Sequence, residues 1–381
     1  MATADVLSGG PSPRRPRPRW LPVAGIALVV LLAVVLAARV TAGRPQAAAT
    51  TPPAPTSAVR PGAAPGVVAV AIGARWAYAL VADCDPGAAR ACAYRLHRRS
   101  LGGGAWTALP LLTETRASVG PGPVLAVTGD EVATVLEPAG GQVYSTADGA
   151  AATRHPLAPG PPIDAVPADG LVDSAYCGAC QQVTVLEPVT GRLRPLRQQP
   201  FRDGRLRSYT LRGDVLWAVS ATADGVTSAR SADRGRTWTV LPVRGLASGI
   251  DALQLVTGPT GPAYLLSATT GTDGTSRLVG VWSTQAAAGA WERLPGPIPR
   301  SARSALAADR GLLVTDAGGT VWRLQPTGGF AALPDPGPAR PELVATGPGR
   351  MLAATLRGRV PDRLVLTSYD EGESWRVEKV N

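Results

Sequence analysis

Phenylalanine, methionine and histidine are nearly missing from this 381-residue chain, with two of each, and there is a single lysine, Lys379. Charged residues make up only 17%, too few for a solvated disordered chain, and 45% of residues are hydrophobic, enough to bury a core. Without Phe and Met, the large apolar volume must come from Val, Leu and nine Trp, a mix that favours strands over helical bundles. No G-x-S-x-G elbow, phosphate loop or HExxH run occurs, which removes the commonest hydrolase, nucleotide and metalloprotease signatures. What is abundant is glycine, 44 residues, and proline, 37, together with arginine, in the manner of a GC-rich bacterial, actinobacterial genome.

The net charge of +10 would suggest nucleic-acid binding if it were concentrated on a folded domain. It is not. Residues 1–65 hold seven Arg and one Asp, so +6 lies in that segment and only +4 in the rest. Leu21 to Ala38, LPVAGIALVVLLAVVLAA, lacks any charge, and as a helix it would cover roughly 27 Å of bilayer core. Arg14, Arg15, Arg17 and Arg19 precede it, followed by Trp20 at the interface. The positive-inside rule then predicts a cytoplasmic tail at 1–19, a single transmembrane signal-anchor at 20–41, and export of everything beyond. Val40-Thr41-Ala42 leaves cleavage by a signal peptidase as the alternative. Residues 42–65 are Ala, Pro, Thr and Gly without an apolar period and read as a disordered tether.

Residues 66–381 form the expected exported domain. Short alternating or apolar runs recur between Gly- and Pro-rich breaks: VVAVAIG, RWAYALVADC, CAYRLHRRS and AWTALP first, IDAVPAD, GLVDSAYC, QQVTVLEP and RLRPL third, and PELVATG, RMLAATL, RLVLTSYD and SWRVEKV last. Seven such groups of four strands, about 45 residues each, match the period of a propeller blade. The expected fold is therefore all-β, a seven-bladed β-propeller. Six blades are the alternative, if the compact group RSALAAD, GLLVTD, TVWRLQP and FAALPD is irregular. The first and last groups each hold four candidate strands, so closure is expected from packing between blades rather than from a shared strand.

Two octets repeat closely: Ser231-Ala232-Asp233-Arg234-Gly235-Arg236-Thr237-Trp238 and Ser368-Tyr369-Asp370-Glu371-Gly372-Glu373-Ser374-Trp375. In each, an Asp can accept N–H groups of its own turn, Gly can take a positive φ, and the Trp opens the next strand with a large apolar ring. Weaker echoes occur at Ser283-Thr284-Gln285 leading to Trp291, at Ser145-Thr146-Ala147-Asp148-Gly149, and at Gly104-Ala105-Trp106. The pattern S-x-D-x-G-x-[ST]-W resembles the Asp box, or BNR repeat, of sialidase-like and sortilin-like β-propellers. The resemblance implies a structural staple at the outer edge of a blade for Ser231, Asp233, Gly235, Thr237, Trp238, Ser368, Asp370, Gly372, Ser374 and Trp375.

Four cysteines in an exported chain point to two disulfides. Cys84 and Cys92 flank one strand connection, and Cys177 and Cys180 another. Local bridges and cross-pairing between the two hairpins both remain open, because a bridge across a two-residue turn is geometrically strained. The CGAC run at Cys177–Cys180 lacks the following helix that lowers a redox thiol's pKa, and His97 and His155 show no zinc-ligand spacing, so no cofactor or metal is expected. Arg212-Gly213-Asp214 reads as a turn.

The resemblance also implies an alternative, an exo-glycosidase of the sialidase type. Such enzymes use an arginine triad and a tyrosine nucleophile, and family members carry an Arg-Ile-Pro motif in the first blade. Here Arg75 stands alone, and the late tyrosines Tyr264 and Tyr369 lie in an apolar strand and inside a box. The expectation is a noncatalytic, single-pass plasma-membrane protein with no catalytic residue, its C-terminal propeller outside the cell. Its partners would be the membrane and an extracytoplasmic protein or glycan, and not nucleic acid.

Overall fold

The computed structural model describes residues 66–84, 91–109, 113–116, 123–128, 132–137, 141–146, 152–172, 181–202, 205–222, 224–246, 250, 252–258, 262–270, 276–284, 290–335, 340–346, 352–357 and 363–380. The expected anchor at 20–41 and tether at 42–65 lie outside these residues. Among the described residues there is no helix, and so none long and apolar enough to cross a membrane.

The chain builds antiparallel sheets one after another. The first holds β1 (Gly66–Ile72), β2 (Trp76–Cys84), β3 (Ala91–Ser100) and β4 (Thr107–Ala108), with β5 (Thr113–Arg116) also pairing with β3. The second holds β6 (Val124–Val127), β7 (Ala133–Glu137), β8 (Gln142–Thr146) and β9 (Thr153–Pro156). The third is reduced to β10 (Ala158–Pro159), β11 (Thr184–Glu187) and β12 (Arg192–Pro195). The fourth runs through β13 (Arg205–Arg212), β14 (Val215–Thr222), β15 (Gly225–Ser231) and β16 (Thr239–Val243). The fifth has β17 (Ala252–Thr257), β18 (Ala263–Thr270), β19 (Ser276–Thr284) and β20 (Glu292–Arg293). The sixth has β21 (Ser304–Ala308), β22 (Gly311–Thr315), β23 (Val321–Leu324) and β24 (Phe330–Ala332). The last has β25 (Arg340–Thr346), β26 (Leu352–Arg357), β27 (Leu364–Ser368) and β28 (Arg376–Lys379).

Strands β2, β7, β14, β18 and β22 bury apolar residues on both faces, so their sheets must each pack on two neighbours. In β2, Tyr78 and Leu80 pack toward Val135 and Tyr144 of the second sheet, while Ala79 and Val81 pack toward Val365 and Val380 of the last. Leu136 and Val143 meet Leu171 and Leu186, and Val185 meets Tyr209 and Leu216. Trp217 and Val219 meet Leu265, Tyr264 and Leu266 meet Leu312 and Val314, and Leu313 meets Leu366. These joins close into a ring, a six-bladed β-propeller, in place of the seven blades expected: the third group of strands forms only a reduced three-stranded sheet between the second and fourth. Strands β1 to β4 and β25 to β28 stay in their own sheets, so among the described residues no strand is exchanged where first and last blades meet.

Two expectations need correction. The compact sixth group is a regular four-stranded blade, and the irregular one is the third. There IDAVPAD is not an inner strand: Ile163 pairs with Leu196 in parallel, on the side of β12 where β10 also runs. Pro161, Pro162 and Pro167 lack N–H groups, so this stretch cannot support a ladder on both sides and remains at an edge.

Candidate functional site

The two boxes fold alike. Ser231 Oγ donates to Asp233 Oδ1 at 2.7 Å and accepts the Gly235 N–H at 2.7 Å, while Thr237 donates its N–H (2.9 Å) and hydroxyl (2.7 Å) to the Asp233 carboxylate. In the second box Ser368 donates to Asp370 at 2.8 Å and accepts from Gly372 at 2.7 Å, and Ser374 donates its N–H and hydroxyl to Asp370 at 2.8 and 2.5 Å. Hydrogen bonds from Ser231 and from the side chain and backbone of Thr237 hold Asp233 down to about 2. For Asp370, partial burial pushes upward, but the donors Ser374 and Ser368 outweigh it and the carboxyl also falls to about 2. Both groups are therefore spent as acceptors in their own turn and are poor proton donors near neutrality.

Gly235 and Gly372 take φ of 98° and 91°, as the box predicts. A Cβ at Gly235 would stand 2.5 Å from Leu196 Cδ1 of the third sheet. Gly235→Ala is accordingly expected to cost about 1–2 kcal/mol in backbone strain alone, with Leu196 having to shift as well; denaturant unfolding of the purified chain checks it.

The residue before each glycine was read as variable, and in both boxes it clamps the blade to the preceding sheet. Arg234 and Glu371 have φ of 60° and 59°, which turns each side chain back onto the preceding sheet. Arg234 donates through Nε to the Val166 carbonyl (2.6 Å), through Nη2 to the Pro167 carbonyl, and through Nη1 to Asp214 Oδ1 (3.0 Å). Glu371 is buried; its Oε1 accepts the Arg310 N–H at 3.2 Å, and its carbonyl accepts from Arg323 Nη2 at 2.5 Å. Arg323 also pairs with Glu373. The same backbone device thus carries a cation in one box and an anion in the other.

The tryptophans that follow the boxes and their echoes obey one rule. Trp238 donates to the Gln198 carbonyl of the third sheet at 3.0 Å, Trp291 donates to Ser228 Oγ of the fourth at 2.6 Å, and Trp375 packs against Leu313 and Val321 of the sixth. Trp106 does the same across the ring closure: it packs with Val365 and Val380, and its Nε1 donates to Glu378 Oε2 at 3.3 Å. Each ring reaches the sheet before its own, cyclically. Of the weaker echoes, Trp106 and Trp291 are therefore true staples, while Ala147–Gly149 fall outside the described residues.

The closure carries a polar cluster that has no sequence signature. Arg99, 7% exposed, donates to Glu378 Oε1 at 2.7 Å and to the Tyr369 hydroxyl at 2.9 Å, and Thr367 donates to the same Glu378 oxygen at 2.7 Å. At the other end of this join Arg363 pairs with Asp83 at 2.5 Å, and Arg95 lies 3.6 Å from the same carboxylate. A third aspartate turn was also missed: Asp316 accepts the N–H groups of Gly318 (2.8 Å) and Thr320 (3.0 Å) and the Trp322 indole N–H (2.9 Å). Its signal, D-x-G-G-T-x-W, was available in the sequence.

The remaining candidates fall into structural roles. Tyr264 is buried in β18, and burial raises its pKa, opposite to the need of a nucleophile. Tyr369 is held by Arg99. Arg75 sits in the β1–β2 turn, its carbonyl accepting the Leu101 N–H at 2.9 Å. Arg212-Gly213-Asp214 is the β13–β14 turn, as expected, and Asp214 receives Arg234. Cys84 and Cys92 face each other in the β2–β3 register, the placement a local bridge requires. Cys177 and Cys180 lie outside the described residues. Among the described residues no three His, Cys, Asp or Glu side chains are grouped as a metal site.

No family model and no curated protein matches the chain. Among solved structures it is similar to the β-propeller domain of the Trilobed protease from Pyrococcus furiosus, described as having an open velcro topology (TM-score 0.49, 6% identity, 84% of this chain and 98% of that one). It is also similar to an α-L-arabinanase from Penicillium chrysogenum complexed with arabinobiose (TM-score 0.40, 12% identity, 87% and 97%). A third is YCF48 bound to a D1 peptide (TM-score 0.35, 14% identity, 84% and 83%).

Proposed function

We propose that the chain is a membrane-tethered, extracytoplasmic propeller of the Asp-box type that acts without catalysis, presenting a binding surface to a protein or glycan outside the cell. One observation carries the noncatalytic reading: the side chains best suited to chemistry are engaged in closing the ring, holding turns or filling the core. Tyr369 and Arg99 lie in the ring closure, Asp233 and Asp370 in their box turns, and Tyr264 in a core. A ring braced in this way is a rigid support for its connecting loops, where binding residues concentrate in scaffolds of this kind. The apolar run Leu21 to Ala38 and the arginines before it supply the tether and its orientation.

The full-length chain, solubilised in detergent, should release no leaving group from fluorogenic sialosides or arabinosides, yet bind saturably to at least one member of an array of envelope glycans and exported peptides. Turnover that disappears in Tyr369→Phe or Tyr264→Phe would establish the exo-glycosidase instead. A reporter fused after Asn381 should be active only in an exported compartment; cytoplasmic activity would overturn the orientation.

A further inference from the structure

Strand alternation places every second residue of β3 against the last blade. In register with Ala77, Ala79 and Val81 of β2 stand Arg99, His97 and Arg95, with Asp83 one step further on the same face. The last blade answers with Arg363 just before β27, Val365 and Thr367 on it, and Glu378 on β28. Arg99 closes on Glu378 at one end of this row and Arg363 on Asp83 at the other. His97 lies between them, 1% exposed, and neither ring nitrogen has a hydrogen-bond partner among the described residues.

Both carboxylates of the row are therefore already paired. The charged groups facing the imidazole are Arg95 and Arg99 from its own strand, Asp83 from β2, Arg363 from the segment before β27 and Glu378 from β28, three cations against two anions. A proton on His97 would add a fourth cation in a place that water does not reach and that offers no uncommitted acceptor. Polar groups also bridge other joins, Arg234 to the Val166 and Pro167 carbonyls and Arg310 and Arg323 to Glu371 and Glu373, and the second histidine, His155, stands beside Gly191 where the second and third sheets meet.

We propose that the join between the first and last blades is an acid-sensitive seam, in which protonation of His97 parts β3 from β27 and β28 and opens the ring while the other joins hold. The electrostatics agree: burial first, then Arg363 and Arg95, lower the His97 pKa, with Asp83 opposing. A histidine held below its free value of 6.5 stabilises the closed ring above that pH. That contribution is lost as pH falls below 6.5 toward the folded value, because the opened state binds the extra proton. An envelope protein with such a seam would loosen at one defined place on acidification.

The test is amide exchange on the full-length chain in detergent from pH 7.5 to 5.5, corrected for the intrinsic pH dependence of exchange. Protection in β3 and β27 should fall, by up to about tenfold per pH unit below 6.5, while β14, β15, β18 and β19 stay unchanged. His97→Phe should abolish the effect, and His155→Gln, which alters the only other histidine, should retain it. If the effect persists in His97→Phe the proposal is wrong. Should that variant not fold, the wild type and His155→Gln decide, and loss of protection no greater in β3 and β27 than in β14 and β18 overturns it.

Discussion

Replacing Glu378 with alanine is expected to destabilise the propeller by about 3–5 kcal/mol, the range for removing one partner of a buried ion pair. The size follows from what one carboxylate satisfies. It accepts from Arg99 Nη1 and Thr367 on Oε1 and from Trp106 Nε1 on Oε2, so its loss takes the counter-charge from a guanidinium left with only the Tyr369 hydroxyl, and the acceptor from a hydroxyl and an indole N–H, at a join that water barely reaches. The Arg99 side chain is only 7% exposed and cannot rehydrate without leaving its place over the Trp106 ring, 5.4 Å away. Urea unfolding at pH 7.5 measures the change. Converting both partners, Arg99→Met with Glu378→Met, should recover much of the loss, since apolar pairs of similar volume often replace buried ion pairs at little cost. The loss should also appear locally, as faster amide exchange in β27 and β28 before β14.

Asp370→Ala is the second large effect, about 2–3 kcal/mol. Three donors converge on that carboxylate, the hydroxyls of Ser368 and Ser374 and the Ser374 N–H, and each is worth about 1 kcal/mol when its acceptor is deleted. The turn that would loosen also holds Glu371 at φ 59°, so the clamp onto Arg310 and Arg323 should weaken with it. Asp370→Asn keeps an acceptor for one of these donors and should lie between wild type and alanine. The acid dependence has a fixed sign. A carboxyl lowered to about 2 from its usual 3.8 contributes stability that is complete above pH 3.8 and is lost as pH falls toward 2. Removing Asp370 should flatten the unfolding profile in that window, and should leave the His97 effect, which sets in below pH 6.5, untouched.

The box turns could be read in the sequence because the hydrogen bonds that close them lie within eight residues. Ser231, Asp233, Gly235 and Thr237 bond to one another, so their spacing alone implies the turn, and Trp238 follows as its continuation. The blade period was legible for the same reason, since each sheet is local in the chain. The clamps were not legible. Arg234 and Glu371 occupy one position with opposite charges because their partners, two carbonyls in one case and Arg310 with Arg323 in the other, belong to different preceding sheets. Arg99 and Glu378 are 279 residues apart, and neither stands in any local pattern that would couple them. IDAVPAD misled because its alternation is strand-like while its flanking prolines deny it two pairing edges.

This is a ring whose polar chemistry serves the joins between blades, with closure resting on side chains in place of a shared strand. A double-mutant cycle of Arg99→Met and Glu378→Met on the full-length chain, read by urea unfolding, tests that most directly. The account predicts a coupling energy of at least about 1.5 kcal/mol, the lower end for close, desolvated charge pairs. A coupling below about 0.5 kcal/mol, the level of exposed surface pairs, would contradict it.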